Sequence, residues 1–165
     1  MIIKKINLLN FRNYSKCNIT LNDKMNIFVG DNAQGKTNIL EAITILALTK
    51  SHRVGNSPNI IQFGKNKCSI NGTIKNNKII TKLSIAISEE EKKLEVNKNT
   101  IRKIADYITN LNVIVFTPDD LEIIKGSPNV RRNLLNIQLS QLSRSYIKIY
   151  NEYNKLLKTR NEYLK

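Results

Sequence analysis

The chain has 165 residues, 41% of them hydrophobic, which suffices for one domain with its own core and is too short for two large ones. Its 27 Lys and Arg against 13 Asp and Glu give a formal net charge of +14, which suits a polyanion such as nucleic acid or, more plainly, a solvated basic surface. Two distant cysteines, Cys17 and Cys68, exclude a disulfide scaffold and a CxxC metal site and point to a reduced cytoplasmic setting, and the short apolar stretches exclude a signal peptide or membrane span.

Taken in chain order, Ile2 to Phe11 and Cys17 to Leu21 read as strands joined through Arg12-Asn13-Tyr14-Ser15. Met25 to Val29 reads as a buried strand, and a helix follows from Thr37 to about Leu48. Lys50 to Pro58 is a polar, basic loop. Three strand-like runs come next, Lys67 to Ile74, Ile79 to Ile87 and Lys93 to Val96, with Lys75-Asn76-Asn77-Lys78 as a hairpin turn. Thr100 is placed to cap a short helix through Thr109, and Asn112 to Phe116 is a further apolar strand candidate. From Pro128 onward there is no Pro or Gly, and the chain reads as one long helix. Leu135, Leu142, Ile149, Leu156 and Tyr163 repeat every seven residues, with Leu139, Tyr146, Tyr153 and Arg160 four places later, which is the seam of a coiled coil or helical arm. Such a helix would span about 50 Å, and the seam still running at Lys165 predicts that the arm continues.

Between the strand at 25–29 and its helix stands Gly30-Asp31-Asn32-Ala33-Gln34-Gly35-Lys36-Thr37, with glycines, lysine and hydroxyl at the spacing of a phosphate-binding P-loop. The glycines open turns closed to other residues, so that successive N–H groups converge on a phosphate. Lys36 would then reach the outer phosphates and Thr37 offer its hydroxyl to Mg²⁺. A P-loop enzyme also needs an acid for the metal, and the nearest imitation is Asp119 or Asp120, which follow Thr117-Pro118 and sit where a helix would begin. His52 has no nucleophile pattern around it. Nucleotide binding is thus better supported than hydrolysis.

Beyond the loop, Asn10-Phe11-Arg12-Asn13-Tyr14, the run Gly30 through Asn38 to Ile43, Lys50-Ser51-His52-Arg53, Thr117-Pro118-Asp119-Asp120-Leu121, Lys125-Gly126-Ser127-Pro128 and Arg131-Arg132 occur in one order along the chain. In this set the chain resembles the N-terminal part of the RecF family, bacterial DNA-repair ATPases related to the structural maintenance of chromosomes (SMC) proteins and to ABC-type ATPases. The resemblance implies an α/β P-loop NTPase lobe with mixed and antiparallel strands around the P-loop helix, residues 1–127, followed by the start of a helical arm, residues 128–165. It implies ATP and Mg²⁺ as cofactors, bound by residues 30 to 38 with Arg12 and Asn13 near the phosphates. It further implies DNA as a partner, an ATP-dependent homodimer of the full-length protein, and the mediator proteins RecO and RecR in loading recombinase at gaps. His52, Arg53, Lys125, Arg131 and Arg132 become candidates for DNA or interface contacts, and Arg131 and Arg132 could equally pair with Asp119-Asp120. The chain departs from the family pattern in lacking a Gln after the 112–116 strand, and in carrying Leu134 and Asn136 where an aromatic residue and an acid are usual. The competing readings are a compact stand-alone NTPase or phosphotransferase with Asp119 or Asp120 at the metal, and a basic DNA-binding module with a vestigial P-loop.

Overall fold

The computed structural model describes residues 1–51 and 60–164, so the expectations for His52 and Arg53 lie outside the described residues, as does the side chain of Asp119. The chain divides into two compact units, Met1–Val113 and Ile114–Lys165.

The first unit is built on a six-stranded sheet. β1 (Ile2–Phe11), β2 (Tyr14–Thr20), β3 (Lys67–Asn76), β4 (Ile79–Ser88), β5 (Lys92–Val96) and β6 (Asn99–Ile101) lie in the order β2-β1-β3-β4-β5-β6. Every pairing among them is antiparallel. Alternation writes the faces: Ile6, Leu8, Ile70, Ile74, Leu83, Ile85 and Ile87 are buried, while Lys5, Lys16, Lys82 and Lys93 between them are exposed. Onto the apolar face packs α1 (Lys36–Leu48) through Ala42, Ile45 and Leu46. Gly72 permits that close approach, because a Cβ there would stand 2.3 Å from Leu46 Cδ2. The carboxyl end of α1 is held by Lys92, whose Nζ donates to the carbonyl of Thr49 at 2.8 Å.

Three expected elements differ. Thr100 belongs to β6 and pairs with Glu95, because Asn97 and Lys98 at φ 52° and 70° turn the chain into a tight hairpin; the helix α2 begins later, at Ile104–Ile108. Met25 to Val29 is not a strand, and Met25, Ile27 and Val29 are exposed, as are Ile114 and Phe116 in the other apolar run. Neither run has a sheet partner among the described residues, and a strand exists only as one of a hydrogen-bonded pair.

In the second unit the single long helix is broken. A 3-10 turn at Pro118–Leu121 and α3 (Glu122–Lys125) precede α4 (Pro128–Leu142), and α5 (Arg144–Tyr163) starts afresh after Ser143. Ser143 is extended, φ −142° and ψ 118°, and its hydroxyl accepts from the N–H of Tyr146, so it caps α5 instead of continuing α4. Asn136 on α4 then bonds both Tyr146 and Tyr150, whose rings stack at 5.9 Å.

Candidate nucleotide-binding site

α1 opens directly on the loop, with Gly35 at its N-cap in the left-handed region, φ 103° and ψ 4°. Glycine is required there twice over: a side chain would be strained, and its Cβ would stand 2.7 Å from Asn13 Nδ2 and 2.8 Å from the Tyr14 hydroxyl oxygen. Ala33 also turns left-handed, at φ 65°. Lys36 folds its side chain back across the loop, its Nζ donating to the carbonyls of Gly30 and Asp31 at 2.6 Å each. Asn32, Ala33, Gly35, Lys36, Thr37 and Asn38 line a cavity of about 280 Å³. No acid stands in the first turn of α1, so the positive end of the helix dipole faces the cavity with no carboxylate of that turn to oppose it. Together with the Lys36 ammonium, this end of the helix suits a negatively charged group.

The turn between β1 and β2 braces the loop. Asn13 Nδ2 donates to the Gln34 carbonyl at 3.2 Å, and Asn13 Oδ1 accepts from Asn38 Nδ2 at 2.9 Å. Arg12, expected at the phosphates, sends its guanidinium to Glu41 on α1: Nη2 donates to Oε1 at 2.8 Å and Nε to Oε2 at 3.1 Å. Glu41 is 0% exposed and also accepts from the Ser51 hydroxyl at 2.5 Å. Of the residues expected at the nucleotide, Asn32, Ala33, Gly35, Lys36, Thr37 and Asn38 come together at the cavity with Asn13 against the loop, while Glu41 and Ser51, which were not singled out as site residues, lie behind it. The available signal was an acid one helical turn before Ile45 on an apolar stripe, a place where a carboxylate needs partners.

The remaining candidates lie in the other unit. Arg131 Nη1 donates to the carbonyls of Ile123 and Gly126 at 3.1 and 3.2 Å, closing the end of α3, and Arg132 Nη2 donates to Asn129 Oδ1. Lys125 is exposed. The Asp120 carboxylate accepts from both the N–H and the hydroxyl of Thr117, which makes it the cap of its own short turn. Among the described residues no three His, Cys, Asp or Glu side chains gather as a metal site, and no helix is long and apolar enough to cross a membrane.

A glycine-capped loop opening a helix that is backed by an antiparallel sheet defines a P-loop ATPase lobe. The chain belongs to the AAA ATPase domain family, whose profile matches residues 1–164. At the level of individual relatives it is similar to the DNA replication and repair protein RecF: that of Streptococcus equi subsp. equi is 41% identical and that of Listeria monocytogenes 40%, each over all 165 residues. The chain spans 45% of the length of these relatives. Among solved structures, the recombination mediator protein RecF-ATP in the RecFOR pathway matches 99% of this chain and 46% of its own, at 30% identity and a TM-score of 0.90. A solved SMC ATPase, 20% identical, shares the fold over 83% of this chain with a TM-score of 0.67.

Proposed function

We propose that the chain binds Mg-ATP at residues 30 to 38, and that bound nucleotide gates the pairing of two such heads and their grip on DNA in recombinational repair and replication restart. The observation that carries this reading is the loop, with left-handed Ala33 and Gly35, Lys36 spanning it and a helix N-terminus at its floor. Likeness over the whole chain to a RecF solved with ATP supports the choice of nucleotide. Thr37, exposed at the cavity, is the residue that would hold Mg²⁺. The engagement of Asp120 with Thr117 speaks against the stand-alone NTPase. We therefore assign the chain half of a composite site, the signature residues coming from a second head, with RecO and RecR as the mediators that complete recombinase loading at gaps.

DNA binding is supported by the open face of the sheet. Lys16 and Lys93 lie on one register line with Leu9, Ser69 and Ala86, and Lys5 and Lys82 lie on a second with Thr20 and Thr73. The lines are four residues apart, about 13 Å at the rise of a strand. Between them runs a strip of Asn18, Asn7, Asn71, Ser84 and Glu95. Two cationic lines at that separation match phosphate backbones flanking a groove about 12 Å wide. Lys93 is partly neutralised by Glu95 at 2.8 Å, which leaves Lys5, Lys16 and Lys82 as the main contributors.

Titration with a fluorescent ATP analogue tests the nucleotide step: Lys36→Ala should weaken binding by about 10- to 100-fold while the melting temperature holds, the loss of one charge-assisted set of bonds. Equal affinity in the two proteins would overturn the assignment. Brisk ATP turnover by the isolated chain would overturn the composite site.

A further inference from the structure

Glu41 is the one carboxylate buried among the described residues, and three segments of chain converge on it. Arg12 arrives from the β1–β2 turn and Ser51 from beyond the end of α1, while Glu41 itself stands on the P-loop helix one turn past Thr37. An Arg–Glu pair withdrawn from water is rarely more stabilising than apolar side chains of the same volume, because desolvation offsets the attraction. What such a pair supplies is geometry: two parallel N–H···O bonds fix both distance and plane. The geometry is needed here, since Arg12 has a left-handed backbone, φ 52°, which an L-residue keeps only when its surroundings hold it. Its N–H donates to the Ile60 carbonyl at 2.9 Å, and its guanidinium is locked to Glu41. The next residue, Asn13, grips both ends of the loop's last turn, through Gln34 and Asn38.

From this arrangement we infer that Glu41 is a positioning residue of the phosphate site: acting through Arg12, it holds the Arg12-Asn13 turn against the loop and so sets where the N–H groups at 35 to 37 point. Ser51 steadies the carboxylate in the orientation that Arg12 requires. The inference rests on the reading that the loop binds ATP and adds the residue that shapes the loop from behind.

The test compares the wild type with Glu41→Gln, Asn13→Ala, the double variant Asn13→Ala/Glu41→Gln and Thr44→Val, each by ATP-analogue titration and thermal unfolding. Thr44 is the comparator because it is about as buried on the same helix and its hydroxyl donates to the Leu40 carbonyl of that helix. Glu41→Gln keeps the shape and loses the charge, and should weaken ATP binding about tenfold, the cost of one charge-assisted pair. Asn13→Ala should do the same, and the double variant should bind no worse than either single, because both act along one route. Thr44→Val should lower the melting temperature and leave ATP affinity intact. Multiplying losses in the double variant, unchanged affinity in folded Glu41→Gln, or a loss in Thr44→Val that tracks its melting temperature would each overturn the inference. Failure of the wild type itself to bind ATP would overturn the nucleotide reading and the inference with it, whereas failure confined to the variants overturns the inference alone.

Discussion

The sheet unit and the helical unit bury their apolar residues in opposite ways. In Met1–Val113, alternating strand residues and the apolar sides of α1 and α2 close on each other, so that Ile6, Ile45, Ile70, Ile85 and Tyr107 are fully shielded. In Ile114–Lys165, Ile147 is the one buried apolar side chain among the described residues, and the heptad positions Leu142, Ile149, Leu156 and Tyr163 are 71, 65, 64 and 87% exposed. The first unit is held by its core. The second is held by polar links: Asn136 to the paired tyrosines, Arg131 to the end of α3, and Asp120 to Thr117. A seven-residue repeat therefore identifies a helix and its apolar side without saying whether that side is covered.

Substitutions can break this contrast, and the largest effect belongs to the sheet. Ile85→Ala, at a fully buried position between β3 and β5, should cost about 3 kcal/mol in a urea melt followed by far-UV circular dichroism. Next comes pH, which acts on the sheet unit through Cys68, whose thiol burial pushes up to about 11 from 9.0. The unfolded chain releases this proton near 9.0 while the native chain keeps it, so stability is intact below about pH 9 and falls as pH rises toward 11, by about 1.4 kcal/mol per unit. Burial raises the Tyr107 phenol as well, which steepens the same slope. Denaturant melts at about pH 8 and about pH 10.5 should show the loss, and Cys68→Ala should make it smaller. In the helical unit, Tyr146→Phe removes the hydroxyl bond to Asn136 and should cost about 1 kcal/mol, read as earlier loss of helix signal. Smallest of all, Leu156→Ala at an exposed seam position should stay within about 0.5 kcal/mol; a cost as large as that of Ile85→Ala would show that the seam is covered after all.

What could be read from the amino acids follows the range of the interactions involved. The P-loop was legible because glycine spacing and the helix start are local, and the hairpin of β3 and β4 because alternation and an Asn-Asn turn are local too. The run Met25 to Val29 failed for the opposite reason: its apolar run is that of a buried strand, but strand formation depends on a neighbour that no single window contains. Ser143 broke the long helix without a Gly or Pro signal, because serine serves equally inside a helix and as the cap of a new one. Arg12 was placed near the nucleotide by resemblance and proved to be tied to Glu41, 29 residues away in sequence. Distant pairing of that kind is visible from the sequence only as an acid on an apolar stripe.

The run at 25–29, which pairs with no strand among the described residues, has a colloidal consequence. Three apolar side chains, Met25, Ile27 and Val29, are exposed beside backbone that joins no strand among the described residues, a template on which another chain can add itself. What keeps copies apart is their shared charge of +14, and that repulsion is screened within about 10 Å at 0.1 M salt. Raising ionic strength therefore lowers the barrier and leaves the adhesive strip, so the solubility of this chain should fall as salt is added.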